Sequence, residues 1–248
     1  MFRPRVALAS LSGEADADWA LAARAYAGAA FLGGIAIDEA SREAAREMVA
    51  DRDRTEFLPA DPFVFVDDQL AALDGEPIRA GINVRSATVD PVRDAARICA
   101  DHGAVLEVNA HCRQAELCAA GCGQTLLRDT ERLCEYVRAA AGTGAPVSVK
   151  VRTEVPGVDL PATARRVAEA GADAVHVDAM DSEAVVADVV DRADAFVIAN
   201  NGVRGRESVA EYFEYGADAV SVGRPSDDPD VLARVRRAVD ELAVDAHA

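Results

Sequence analysis

The chain has 248 residues, with 26 Lys or Arg against 43 Asp or Glu and a formal charge of −17. Its length suits one large domain, and the acidic balance is opposite to that of a protein whose whole surface binds nucleic acid. No run of about 18 uncharged apolar residues is present, and residues 1–14 hold too short an apolar stretch for a secretory signal, so a cytoplasmic protein is expected.

Short Val-, Ile- and Ala-rich runs alternate with amphipathic stretches along the whole sequence. A strand at 5–11 precedes a helix at 16–27, and strands at 30–37 and 77–84 follow. A helix at 90–102 leads to a strand at 104–109, and a helix at 130–141 to a strand at 146–151. Helices at 159–170, 182–192 and 208–215 then alternate with strands at 174–178, 195–199 and 219–222. A helix at 230–242 closes the series. Apolar strands bounded by amphipathic helices indicate parallel units buried on both faces. The alternatives are a closed (β/α)₈ barrel over 1–248 and a doubly wound open sheet. Even spacing, and the lack of a Gly-rich dinucleotide fingerprint after the first strand, favour the barrel.

The five cysteines are 99, 112, 118, 122 and 134, an odd number for a disulfide framework, so free thiols are expected. Lys150 is the only lysine. An acidic surface nearly free of lysine suggests a halophilic protein, because at molar salt the Debye length falls to about 3 Å and self-repulsion is screened. Unfolding on dilution into low salt is the expected outcome; a protein equally stable in dilute buffer and molar salt contradicts that reading.

Chemistry in a (β/α)₈ barrel sits at the carboxyl ends of the strands. Those ends carry Asn83 and Arg85, then Asn109 with His111, Cys112 and Arg113, then Lys150 and Arg152. His176 and Asp178, Asn201-Gly202 and Gly223-Arg224 follow. Arginines 85, 113, 152, 204, 206 and 224 are expected on one rim as an anion-binding mouth. Lys150 offers a compact, tunable charge where arginine is otherwise the rule. Glycines 202 and 223 let backbone N–H groups approach a phosphate, an arrangement that recurs after the last two strands of such barrels. Cys112 lies in a polar loop with basic neighbours that lower a thiol pKa. The Cys112, Cys118, Cys122 spacing matches no common metal pattern, and no metal site is expected.

These motifs resemble the flavin-dependent tRNA-dihydrouridine synthases from about residue 90 to 224. That family has N-x-G-C-P after a strand and then G-x-G-x-x-L-L; the chain reads Asn109-Ala-His-Cys112-Arg and Gly121-Cys-Gly-Gln-Thr-Leu126-Leu127. V-K-x-R appears as Val149-Lys150-Val151-Arg152, and the A-G…V-H segment as Ala170-Gly through His176. The N-G…G-A-D-x-V…G-R ending spans Asn201 to Arg224. The resemblance implies an FMN-dependent oxidoreductase that reduces the C5=C6 bond of uracil in tRNA, with NAD(P)H as electron donor. By the same resemblance Cys112 is the general acid, and Asn109 and Arg152 contact substrate. Asn83, Lys150 and His176 contact the flavin or its tail, while Asn201, Gly202, Gly223 and Arg224 hold its phosphate. The A-P-M signature expected after the first strand is absent, and His111 and Arg113 replace the Gly and Pro beside the cysteine. The sequence stops after the last barrel helix, where that family carries a helical RNA-gripping domain, so RNA is expected to be held by the arginine rim or a partner. A flavin barrel acting on a free pyrimidine or another small unsaturated substrate, similar to dihydroorotate dehydrogenases, a barrel for a phosphorylated metabolite, and a non-catalytic flavin- or RNA-binding barrel are the other readings. The oligomeric state is left open.

Overall fold

The computed structural model describes residues 1–51 and 55–245. Its strands are β1 (Val6–Leu8), β2 (Ala29–Ala36), β3 (Arg79–Arg85), β4 (Val105–Asn109), β5 (Val147–Arg152), β6 (Ala174–Asp178), β7 (Phe196–Asn200) and β8 (Ala219–Val222). Each pairs in parallel with the next, and β8 returns to β1. The sheet is therefore a closed (β/α)₈ barrel, and the open-sheet alternative is excluded.

Successive residues of a strand point to opposite faces, which gives every strand two jobs. One set, including Leu8, Ile82, Leu106, Val149, Val177 and Val220, packs outward against the helices in the main core. The other set fills the barrel, whose floor is Ala7, Ala29, Phe31, Val105, Ile198 and Ala219. Several helices start where a carboxylate can accept the free N–H groups of the first turn. Asp129 accepts from Arg132 N, and Asp159 from Ala162 N.

The first strand is shorter than the predicted 5–11. After Leu8 one further ladder bond forms, from Ala9 N to Val222 O, and the chain then turns so that Glu14 and Ala15 donate to Leu11 O. Two helices absent from the sequence reading, Glu39–Asp51 and Pro62–Ala71, occupy the connection from β2 to β3. Asp38 starts the first by accepting from Ser41 N at 2.9 Å, and its other oxygen takes Ala87 N at 2.8 Å. Asp61 and Pro62 start the second, with Asp61 accepting from Phe63 N and Val64 N. Among the described residues no helix is long and apolar enough to cross a membrane.

Candidate active site

Polar residues replace apolar ones one step above the barrel floor. Asn83, Glu107, Ser148, His176 and Ser221 are fully buried and face one another across the interior. Glu107 lies at the centre: it accepts from Asn83 Nδ2 at 2.7 Å, Ser148 Oγ at 3.1 Å and His176 Nδ1 at 2.8 Å. Burial pushes its carboxyl up, but His176, Lys150 and Asn83 outweigh that and hold it below the ordinary carboxylate range. Burial dominates at His176 and lowers its pKa despite Glu107, so the ring is neutral. With Nδ1–H donated to Glu107, Nε2 accepts from Ser221 Oγ at 2.8 Å. Both nitrogens of His176 are thus spent inside the barrel.

The carboxylate also sets the amide orientations above it. Because Glu107 only accepts, Asn83 turns Nδ2 toward it and presents Oδ1 to Asn109 Nδ2 at 2.8 Å. Asn109 Oδ1 then faces away and caps the next loop, accepting from His111 N at 3.2 Å and Cys112 N at 3.0 Å. A buried charge thereby fixes the backbone that carries the cysteine. From the far side Gln124 N donates to Cys112 O at 2.8 Å. Gly123 lies so close that a Cβ there collides with the Cys112 carbonyl.

Cys112 is buried rather than set in an open polar loop, and it packs with Ala44, Met48, Leu117 and Cys122. Arg85 comes from β3 to meet it. Burial pushes the Cys112 thiol up, but the Arg85 guanidinium, the His111 side chain and Asn109 pull it down to about 6. The basic neighbours are therefore Arg85 and His111, whereas Arg113, adjacent in sequence, is exposed. Arg85 is only 1% exposed, pairs with Glu56 at 2.6 Å and bonds Ser12 Oγ. Its guanidinium lies beside Gly34, where a Cβ would sit 2.9 Å from Nε. The expectation of Arg85 as a rim anion ligand is corrected: its charge is committed to a buried pair. Arg206 is likewise engaged, with Glu241 at 2.6 Å. Arg113, Arg204 and Arg224 are exposed, and Arg152 is buried with Nε donating to Thr153 O at 3.3 Å.

Lys150 is 3% exposed and stands between Asn109 on β4 and His176 on β6. Its Nζ reaches Ser10 Oγ at 3.4 Å, across the mouth from β5 to the loop after β1. Asn201 and Gly202 follow β7, and Gly223 and Arg224 follow the adjacent β8. Asn201 Nδ2 bonds Met180 O at 2.8 Å while its Oδ1 accepts from Gly202 N, so the turn is held by its own side chain. A Cβ at either Gly202 or Gly223 meets nothing within 4 Å.

The structure brings Cys112, Asn109, Lys150 and Arg152 to the mouth, with the Gly202 and Gly223 turns beside it. Asn83 and His176 lie one layer deeper, with their polar atoms engaged by protein. Sequence reasoning from strand ends missed Glu107, Ser148, Ser221 and Glu56. The first three were signalled by a polar residue at every second position within V-L-E-V-N, V-S-V-K-V-R and A-V-S-V. Among the described residues no group of three or more His, Cys, Asp or Glu is arranged to hold a metal ion.

The family described as dihydrouridine synthase (Dus) matches residues 36–246, which is most of the chain. The chain belongs to this family. It is 28% identical over 232 residues to the uncharacterized protein MJ0144 of Methanocaldococcus jannaschii, covering 89% of this chain and 88% of that protein. It is 29% identical over 164 residues to tRNA-dihydrouridine synthase B of Xanthomonas axonopodis pv. citri. That match covers 60% of this chain and 49% of the relative, so the chain spans about half that relative's length. Among solved structures, morphinone reductase in complex with tetrahydroNAD superposes with a TM-score of 0.68 at 15% identity, covering 95% of this chain and 87% of that one. At that identity the likeness is one of fold.

Proposed function

We propose that this protein is an FMN-dependent oxidoreductase that reduces the C5=C6 bond of uracil in RNA, with Cys112 as the proton donor. Membership of the dihydrouridine synthase family supports the reaction class. The observation that carries the assignment is the pairing at the mouth of a perturbed thiol, Cys112, with a buried ammonium, Lys150, on the strand next to the cysteine's own.

The residues fit a phosphorylated flavin. Lys150 is a buried cation whose hydrogen bond to Ser10 is a long one, which suits an acceptor-rich ring edge. The open, side-chain-free turns at Gly202 and Gly223, with the exposed Arg224 next to them, suit a phosphate. When bound, the flavin supplies hydride and is recharged by NAD(P)H. The protein's part is positional and acidic. Asn109 holds the cysteine loop through two backbone N–H groups, and Arg85 sets the charge state of the sulfur. Asn109 keeps one Nδ2 hydrogen for a uracil carbonyl, and Arg152 lines the same side of the mouth. Asn83 and His176 act from beneath, holding Glu107 and Asn109 in place.

A free pyrimidine is the second reading, favoured by the charge of −17, which disfavours RNA approach except at the exposed arginines. The test is the absorption spectrum of purified protein together with reduction assays on RNA and on free uracil. We expect flavin bands in the wild type and their loss from K150M after gel filtration. A colourless protein that takes up no FMN refutes the assignment, and turnover of free uracil alone transfers it to the second reading.

A further inference from the structure

His111 stands where the related family has glycine, and its imidazole is not idle. Its Nε2 lies 2.5 Å from Asp178 Oδ2, a contact between the β4 loop and the end of β6 that spans 67 positions of sequence. The Cys112 side chain is that of the next residue, and the imidazole and the thiol interact electrostatically. Asp178 is nearly buried and is fixed in turn by Met180 N, which donates to Oδ1 at 3.3 Å. The imidazole is thus bonded to a carboxylate on one side and interacts with the neighbouring thiol. Asn109 holds His111 and Cys112 by accepting from both of their backbone N–H groups.

This arrangement answers a chemical need. A thiol with its pKa near 6 is mostly thiolate at neutral pH and has no proton to give. Burial works against a charge on His111, but the interactions with Asp178 and Cys112 outweigh it and raise the imidazole above its ordinary value. In such a coupled pair the proton belongs to both groups. The other charged or titratable groups facing the pair are Arg85 from β3 with Glu56 behind it, Lys150 from β5, His176 from β6, and Cys122 from the turn that packs on Cys112. Arg85 and Lys150 are cations, so neither opposes a thiolate.

We propose that His111 and Asp178 supply the proton of Cys112, the imidazolium passing its Nδ1 hydrogen to the sulfur while Asp178 holds Nε2–H. This inference rests on the reading of Cys112 as proton donor. In the step, the S–H bond breaks, a C–H bond forms on substrate, and the S–H electron pair remains on sulfur. The Nδ1–H bond then breaks, S–H re-forms, and the neutral imidazole takes its next proton from water. His111 acts through Cys112 and is a positioning and proton-supplying residue.

The experiment is the pH dependence of iodoacetamide labelling of Cys112 in the purified full-length protein, read by peptide mass spectrometry for wild type, H111Q and D178N. Gln retains a hydrogen-bonding side chain at 111 but cannot titrate. We expect a wild-type inflection near 6 and a rise of about one unit in H111Q, which makes labelling at pH 6 about fivefold slower. D178N is expected to move the inflection the same way by less. An unchanged inflection in both variants overturns the proposal. If H111Q does not fold, D178N decides by the same criterion. In uridine turnover, H111Q is expected to slow wild type about tenfold and to add nothing in a C112A background; full additivity overturns the relay. A wild type that reduces no uridine defeats the proposed function, while the labelling result still judges the dyad on its own.

Discussion

C112A is expected to retain bound flavin and to lose about 100- to 10,000-fold in the rate of uracil reduction, the range typical of removing a positioned general acid. The separation of the two effects follows from geometry. Cys112 packs on Ala44, Met48, Leu117 and Cys122, away from the turns at Gly202 and Gly223. The removed sulfur leaves Lys150 and both glycine turns in place. Stopped-flow reoxidation of the reduced protein by substrate reads the chemical step, and the visible spectrum reads flavin content. Parallel loss of flavin and turnover, or turnover within a factor of about three of wild type, contradicts the assigned role. C112S is the informative companion: a hydroxyl fills the space but is a far weaker acid beside Arg85.

E107A is expected to be the most destabilising single change in the barrel interior, at about 3–5 kcal/mol, because it strands buried partners of a charge. Three donors lose their acceptor together: Asn83 Nδ2, Ser148 Oγ and His176 Nδ1. Lys150 also loses the nearby carboxylate. The amide chain from Asn83 through Asn109 loses its orientation, so the loop of Cys112 loosens too. Urea unfolding at neutral pH measures the loss, and a change below about 1 kcal/mol refutes the account.

Acid adds a second signature. The Glu107 pKa is depressed in the folded state, so its stabilisation is present above the unfolded value of about 4.3 and is lost as pH falls through the folded value. His176 is depressed as well, and its neutral form contributes stability that begins to fade as pH drops below about 6.5. Wild type is therefore expected to weaken in two stages on acidification. E107A is expected to lack the lower one, and retention of that stage in the variant assigns it to another carboxylate.

Local patterns explain which parts of the barrel were readable. The strands were legible because parallel barrel strands are buried on both faces and appear as short apolar runs. The Glu39–Asp51 helix was not, because its buried face is Ser41, Ala44, Ala45 and Met48, too small a stripe to stand out among charges. The Pro62–Ala71 helix begins with the apolar run P-F-V-F-V, which hides a 3.6-residue period, although Asp61-Pro62 carried a start signal. The position of Cys112, Lys150 and the glycine turns at the barrel mouth was legible because the carboxyl ends of the strands gather there.

The order of apolar and polar residues by itself determined alternating parallel strands and helices, since strands buried on both faces read as short apolar runs; closure into a barrel was favoured by even spacing and fixed by the pairing of β8 with β1. Only the tertiary structure decided the charge environment of the cysteine. Arg85 meets Glu56 across 29 positions and His111 meets Asp178 across 67. Such pairs form where the folded barrel brings the β2–β3 connection onto the end of β3 and the β4 loop over β5 to the end of β6, and no local periodicity encodes that distance. The same packing commits Arg85 to Glu56 in place of an anion at the rim and sets its guanidinium where it lowers the Cys112 thiol.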